Sequence, residues 1–405
     1  MALGFGSENI YILRAAIHYR KMLRSGEKRR IYMDYASTTP VDPRVLEAML
    51  PYFEDKFGNT ASLHRWGMEA REALEEARET IASFIRASPM EVIFTSSATE
   101  SNNLAIKGTA FANRSKGKHI ITSKIEHPSV LEPCRWLERN GFQVTYIPVD
   151  RHGLVDPARI EEEIRDDTIL VSIMHANNEI GTIEPIREIG EICRERNVIF
   201  HVDAAQSFGK IPIDVEKMNI DLLTMSGHKI YGPKGIGALY VREGVKVEPL
   251  LHGGGHEYGL RSSTVNVPGA VGFAKACELM RDIMEEESGK LRRLCRRLIE
   301  GVLEIDGVHL TGHPEKRLPT IASFWLEFIE GERLILELNE RGIAASIGSA
   351  CSSGRLEPSH VLLAIGLNED QAKRGLRLSI GRWTRRGEVE YVIEALREIA
   401  GKYAK

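Results

Sequence analysis

The sequence lacks any long apolar run. Nothing in its 405 residues approaches the ~18 needed to span a bilayer, so no segment reads as membrane-spanning. It also lacks an excess of one charge. Fifty-four Lys and Arg stand against 57 Asp and Glu, a net −3, which gives no overall pull toward nucleic acid or an anionic membrane. Cysteine is scarce and odd in number: Cys134, Cys193, Cys277, Cys295 and Cys351. No two have CxxC spacing, which excludes a zinc ribbon or a disulfide scaffold and reads as reduced thiols in a reducing compartment. No Gly-x-Gly-x-x-Gly follows the first strand-like run and no Walker-type lysine is present, so dinucleotide and nucleotide-triphosphate sites lose their usual marks. Internal repeats and low-complexity segments are absent too.

What is present is the composition of an ordinary globular protein, 42% hydrophobic and 27% charged. The length suggests two or three domains by the usual measure of ~150 residues each. Residues 1–30 stand apart. Seven basic side chains (Arg14, Arg20, Lys21, Arg24, Lys28, Arg29, Arg30) face Glu8 and Glu27, a net +5 that leaves −8 for the rest. Ile10, Leu13, Ile17 and Leu23 fall on one helical face. The segment has two acids and few serines, unlike a typical transit peptide, so the expectation is a basic extension on a cytoplasmic protein, with mitochondrial targeting as the alternative.

From about residue 69 helical and strand periods alternate. Ala70, Leu74, Ala77, Ile81 and Phe84 recur at helical spacing. Strand-like runs follow at 92–94, 119–121, 144–147, 169–173, 198–202, 222–225 and 236–241, with helical stretches between several of them. Such alternation predicts βαβ crossovers and a mostly parallel sheet between helices. A long charged helix over 270–302 leads to a smaller α+β domain, with strands near 321–328 and 376–380 and a last helix over 388–400. The expected domains are a large one over 41–280 and a small one made of 31–40 and 281–405.

In open α/β sheets, ligands bind beyond the carboxyl ends of strands. After the strand at 92–95 comes Ser96-Ser97-Ala98-Thr99-Glu100-Ser101. This is either an ordinary helix cap or a phosphate cradle. Asp203 ends the apolar run 198–202, and Lys229 lies just past the run 222–226 in a glycine-rich turn. A lysine in a partly desolvated cleft deprotonates readily and can form a Schiff base. A carboxylate beside it suits pyridoxal phosphate, whose ring nitrogen it keeps protonated.

These segments resemble a fold-type I pyridoxal-phosphate enzyme of the class V aminotransferase group, and in particular the cysteine desulfurases of the NifS/IscS type. The resemblance runs from Ile31 to the C-terminus. It rests on Met33-Asp34-Tyr35-Ala36-Ser37-Thr38-Thr39-Pro40, Ala98-Thr99-Glu100-Ser101, Asn177-Asn178-Glu179-Ile180-Gly181, His201-Val202-Asp203-Ala204-Ala205-Gln206, Ser226-Gly227-His228-Lys229, Gly253-Gly254-Gly255-His256-Glu257, Ser349-Ala350-Cys351-Ser352-Ser353-Gly354 and Leu376-Arg377-Leu378-Ser379-Ile380-Gly381-Arg382.

The resemblance implies a role for each matching residue. Lys229 holds the cofactor and moves the Cα proton. Asp203 pairs with the pyridinium, Gln206 with the phenolic oxygen, and His127 stacks on the ring and acts in proton transfer. Ala98 (through its N–H), Thr99, Ser226 and His228 cradle the phosphate, with Thr264 reaching the cofactor of the other subunit in a homodimer. Asn178 and Arg377 bind the substrate carboxylate, Asn178 touching the cofactor as well. Cys351, in a glycine-flanked loop, takes sulfur from L-cysteine as a persulfide, leaving alanine. It hands the sulfur to an iron–sulfur scaffold protein or to a tRNA-thiolation relay, and the same sulfur is a candidate transient iron ligand. No direct nucleic-acid or membrane partner is implied. Ser97 and Ser263 stand where the family often has glycine, which puts phosphate affinity in question. His252 and His256 bracket a glycine run with no third ligand in view, and read as a structural turn. Selenocysteine lysis, transamination and a non-catalytic scaffold are the competing readings. The retained Cys351 argues against a plain aminotransferase, and Lys229, Asp203 and Cys351 together against a scaffold.

Overall fold

The computed structural model describes residues 30–348 and 358–403. The expectations for residues 1–29 and for Cys351 lie outside them.

Most of the chain builds a seven-stranded sheet from β2 (Val92–Thr95), β3 (His119–Ser123), β4 (Gln143–Ile147), β5 (Thr168–Met174), β6 (Ile199–Asp203), β7 (Leu222–Ser226) and β8 (Gly237–Val241), in the order β2-β8-β7-β6-β5-β3-β4. Every residue of β3, β5 and β7 is buried, as expected of strands covered on both faces. Helices Pro128–Glu138 and Ile186–Glu195 make the crossovers from β3 to β4 and from β5 to β6. The parallel reading holds for β7-β6-β5-β3-β4. The exception is β8, antiparallel to both β2 and β7. The stretch from β7 to β8 is too short for a crossover helix, so the chain turns back on itself. β2 therefore points the same way as β7, and the carboxyl ends of β2, β3, β5, β6 and β7 share one edge.

The long helix Val267–Leu303 joins two cores. Its Ala270, Phe273, Cys277 and Met280 pack into the core of the large sheet with Ile81, Phe208 and Ile230. Its Leu291, Cys295, Leu298 and Val302 enter a second core with Phe324, Leu378, Val392 and Leu396. The second core covers the antiparallel sheet β12-β10-β9, formed by β9 (Val308–Leu310), β10 (Ile321–Leu326) and β12 (Gly375–Ser379). The short β1 (Ile31–Tyr32) pairs in parallel with β11 (Ile343–Ala344). This carries residues 33–39 from the second core across to the edge of the large sheet, where Thr39 N donates to the His228 carbonyl at 3.1 Å.

Among the described residues no helix is long and apolar enough to cross a membrane, and no group of three His, Cys, Asp or Glu is placed to hold a metal ion. Cys134, Cys193, Cys277 and Cys295 are buried free thiols. Burial pushes all four pKa values up, Cys295 to about 11. A thiol held protonated is a poor nucleophile.

Candidate active site

A cavity of about 250 Å³ opens at the shared carboxyl edge. Its lining includes Ala98, Thr99, His127, Asn178, Asp203, Gln206, Ser226, His228, Lys229 and Arg377. Thr264 is exposed and lies outside the cavity lining. Gly348, the last described residue before the segment that contains Cys351, also lines the cavity.

Each side chain is placed by the end of an element. Lys229 closes a 3₁₀ turn that follows β7 directly. Its Nζ donates to the carbonyls of Ala36 at 2.5 Å and Ser37 at 2.9 Å, so the N-terminal strap forms one wall of the site. Asp203 is the last residue of β6. Its Oδ1 accepts from Ala205 N at 2.9 Å and its Oδ2 from Asn102 Nδ2 at 2.7 Å.

Asn102 also donates to Ser129 Oγ at 2.8 Å, and Ser129 Oγ lies 2.7 Å from His127 Nδ1. His127 caps the helix Pro128–Glu138, its Nδ1 accepting the Ser129 amide at 3.1 Å. An amide can only donate, so the imidazole proton sits on Nε2. Burial holds the His127 pKa down, with Lys229 and His360 adding to it against Asp203, and the ring stays neutral. Asn102 and Ser129 were not singled out from the sequence. The one hint is that Asn102 lies a helical turn beyond Thr99, on the inner side of the same helix.

The cradle beneath is small and polar. Ser97 caps the helix Ala98–Asn103, its Oγ accepting Glu100 N at 3.2 Å. The Glu100 carboxylate accepts Ser96 N at 2.7 Å and pairs with Arg261 at 2.8 Å. Ser97 has an extended backbone, φ −175°, ψ 165°, which any residue adopts, so the serine costs no strain. Ser263 is likewise outside the left-handed region. Gly237, opening β8, is required: a Cβ there would stand 2.7 Å from the Ser97 carbonyl carbon and 3.1 Å from Ala98 N. Burial lowers the His228 pKa to about 4, and its Nδ1 lies 3.1 Å from Thr38 Oγ1.

Arg377, on β12, is buried. Its guanidinium donates to Asp34 Oδ1 at 2.7 Å, Ser37 Oγ at 2.8 Å and the Asn178 carbonyl at 2.9 Å, while its Nε is buried with no partner.

The donor set fits pyridoxal phosphate. Ser226 Oγ is buried with no hydrogen-bond partner, at the end of β7 and beside the Ala98 amide across Gly237, where a phosphate oxygen would satisfy it. A carboxylate, a neutral imidazole and an amine share the same cavity.

A lysine just past the end of β7, an aspartate at the end of β6 and a small polar cradle at the helix that follows β2 define a fold-type I pyridoxal-phosphate enzyme. The comparisons carry the assignment further: the chain belongs to the aminotransferase class-V family, which it matches over residues 31–392. It is 54% identical to cysteine desulfurase IscS of Methanosarcina thermophila over 93% of this chain and 94% of that one. It is 53% identical to cysteine desulfurase IscS 1 of Archaeoglobus fulgidus over 90% and 95%. Among solved structures, a NifS-like protein aligns with a TM-score of 0.87 at 40% identity, covering 92% of this chain and all of that one. The structure titled SspA in complex with cysteine aligns at 0.79 and 42% identity, covering 88% of this chain and all of that one.

Proposed function

We infer that this chain is a pyridoxal-phosphate-dependent cysteine desulfurase, forming L-alanine from L-cysteine and keeping the sulfur on Cys351. The observation that carries this reading is one cavity lined by Lys229, Asp203, His127 and Arg377, with Gly348 at its wall. Cys351 lies three residues beyond Gly348, a chain length of at most about 11 Å.

When bound, the cofactor supplies an electron sink that labilises the substrate Cα proton. Lys229 Nζ tethers it, then takes the Cα proton and returns it. Asp203 keeps the ring nitrogen protonated, and Gln206 donates to the ring oxygen. The neutral His127 would face the ring and exchange a proton through Nε2. Ser226, His228, Thr99 and the Ala98 amide hold the phosphate. Arg377 and Asn178 fix the substrate carboxylate, as a charge-assisted hydrogen bond requires. In the sulfur step the substrate C–S bond breaks and a bond forms between that sulfur and Cys351 Sγ. The electron pair left on carbon takes up one proton to complete the methyl group of alanine and the other thiol proton stays with the persulfide, so cysteine plus a thiol gives alanine plus a persulfide. The four buried thiols serve the cores.

The division at residues 41–280 and 31–40 with 281–405 suits this chemistry, because the small domain brings Arg377 and the thiol to a cofactor held by the large one. A homodimer is supported by exposed Leu50, Phe53, Phe57, Leu63, Trp66 and Met68, on chain segments drawn together where Gly58 meets Trp66. Exposed Thr264 would then serve the partner's phosphate. The acceptor is an iron–sulfur scaffold protein or another sulfur carrier, with Cys351 a passing iron ligand, and the compartment is the cytoplasm.

Purified protein loaded with pyridoxal phosphate and given L-cysteine with a thiol reductant tests the reading. Alanine and sulfide in equal amounts are expected, and none from Lys229→Ala. A keto acid as product would overturn it in favour of transamination.

A further inference from the structure

Behind the cofactor cavity lies a second, water-sized space of about 20 Å³. Lys229 lines both. The second space is also lined by Lys210, Tyr35, Tyr231, Glu287 and Ser288. Lys210 follows Gln206 by one helical turn, and its Nζ donates to Gln206 Oε1 at 3.2 Å. The other end of that amide donates from Nε2 to the Ala36 carbonyl at 2.8 Å. The same carbonyl accepts from Lys229 Nζ at 2.5 Å. A continuous chain of hydrogen bonds therefore runs from one ammonium to the other through Ala36 and Gln206.

The orientation matters. An amide nitrogen and oxygen differ only in what they bond, and an ammonium can only donate. With Lys210 on its oxygen, Gln206 must turn its NH₂ toward Ala36, which leaves the second N–H for the cofactor side. A lysine used for solubility would point outward; this one is half-buried and lines the same space as Lys229. Among the described residues no carboxylate forms an ion pair with it; Glu287, which lines the same space, is bonded to Arg382 at 2.7 Å. The other charges that face it are Lys229 and Arg377.

We propose that Lys210 is a positioning residue: it locks the Gln206 amide so that one N–H holds Ala36 and the other is left for the cofactor, and, as a second cation in the same network, it disfavours positive charge on the Lys229 nitrogen. This deepens the desulfurase reading and rests on it. Burial, with Lys229 and Arg377 adding and Glu287 opposing, brings the Lys210 pKa down to about 7, as expected where two cations share a poorly hydrated space.

The test is a pH titration of the visible absorbance band of the protein loaded with pyridoxal phosphate. Wild type is compared with Lys210→Met, which removes charge and donor, and Lys210→Arg, which keeps both. Removing the neighbouring cation makes protonation at Lys229 easier, so the band's apparent pKa is expected to rise by about one unit in Lys210→Met, with wild-type behaviour largely restored in Lys210→Arg. Should Lys210→Met fail to hold cofactor, neutral Lys210→Gln is titrated in its place with the same upward shift expected. A neutral variant that titrates like wild type, or an arginine variant shifted as far as the neutral one, overturns the proposal. A wild-type protein that is coloured and yields alanine while the neutral variant titrates unchanged defeats this inference alone. A colourless wild type defeats the desulfurase reading instead.

Discussion

Asn102 donates to Asp203 Oδ2 at 2.7 Å and, from the same nitrogen, to Ser129 Oγ at 2.8 Å. Both protons of one amide are thus committed, one to the Asp203 carboxylate and one to the serine that bonds His127 Nδ1. The two functional side chains are held by a single residue that bears no charge. Asn102→Ala is expected to leave Ser129 and Asp203 short of a buried donor, at a cost of about 1–3 kcal/mol. Cofactor affinity should fall about tenfold, read by equilibrium dialysis, alongside a lower melting temperature. Unchanged affinity would mean that Asp203 needs no such support.

Arg377 gives its Nη2 to Asp34 and Ser37 and keeps an unpartnered Nε–H. An incoming carboxylate takes that free donor and competes with Asp34 for the adjacent one. Lysine has a single point charge and cannot serve both. Arg377→Lys should raise KM for cysteine at least about tenfold with a smaller loss in kcat, the cofactor band intact.

Gly237 lets the start of β8 approach the phosphate cradle. Gly237→Ala forces Ser97 and the Ala98 amide away. The expected outcome is a folded protein with the same far-ultraviolet circular dichroism and weaker cofactor retention on gel filtration.

Glu126 is fully buried, accepts from Ser123 Oγ at 2.7 Å and Met174 N at 3.0 Å, and has its other oxygen without a partner. Burial raises its pKa from 4.5 to about 8, the two donors opposing and nearby Asp203 adding to the rise. The unfolded chain loses this proton near pH 4.5 while the folded one keeps it. Its contribution to stability is therefore complete below pH 4.5 and is lost as pH rises toward 8, by about 1 kcal/mol per pH unit. Denaturant unfolding of Glu126→Gln across that window should lack this slope, and an identical slope would place the titration elsewhere.

The strands were legible because parallel strands buried on both faces must be apolar throughout, as β5 is. Lys229 and Asp203 stood out because each is a charge at the end of such a run. The reversal of β8 was not seen, although the shortness of the stretch after Lys229 was the available sign. The bonds of Asn102 were not legible at all. They join residues 27 and 101 positions away, and only the shared edge of the sheet brings these together. Lys210 escaped for the same reason: in sequence it is one more lysine, and its inward course depends on the space bounded by Glu287 and Tyr231.

The central claim is that a lysine-held cofactor frees sulfur from cysteine onto one thiol. Peptide mass spectrometry of the loaded protein after brief exposure to L-cysteine, quenched by alkylation, tests it directly. The account predicts one extra sulfur atom on the peptide containing Cys351, absent in Lys229→Ala. Extra sulfur on the peptides of Cys134, Cys193, Cys277 or Cys295, or on none while alanine still forms, would contradict it.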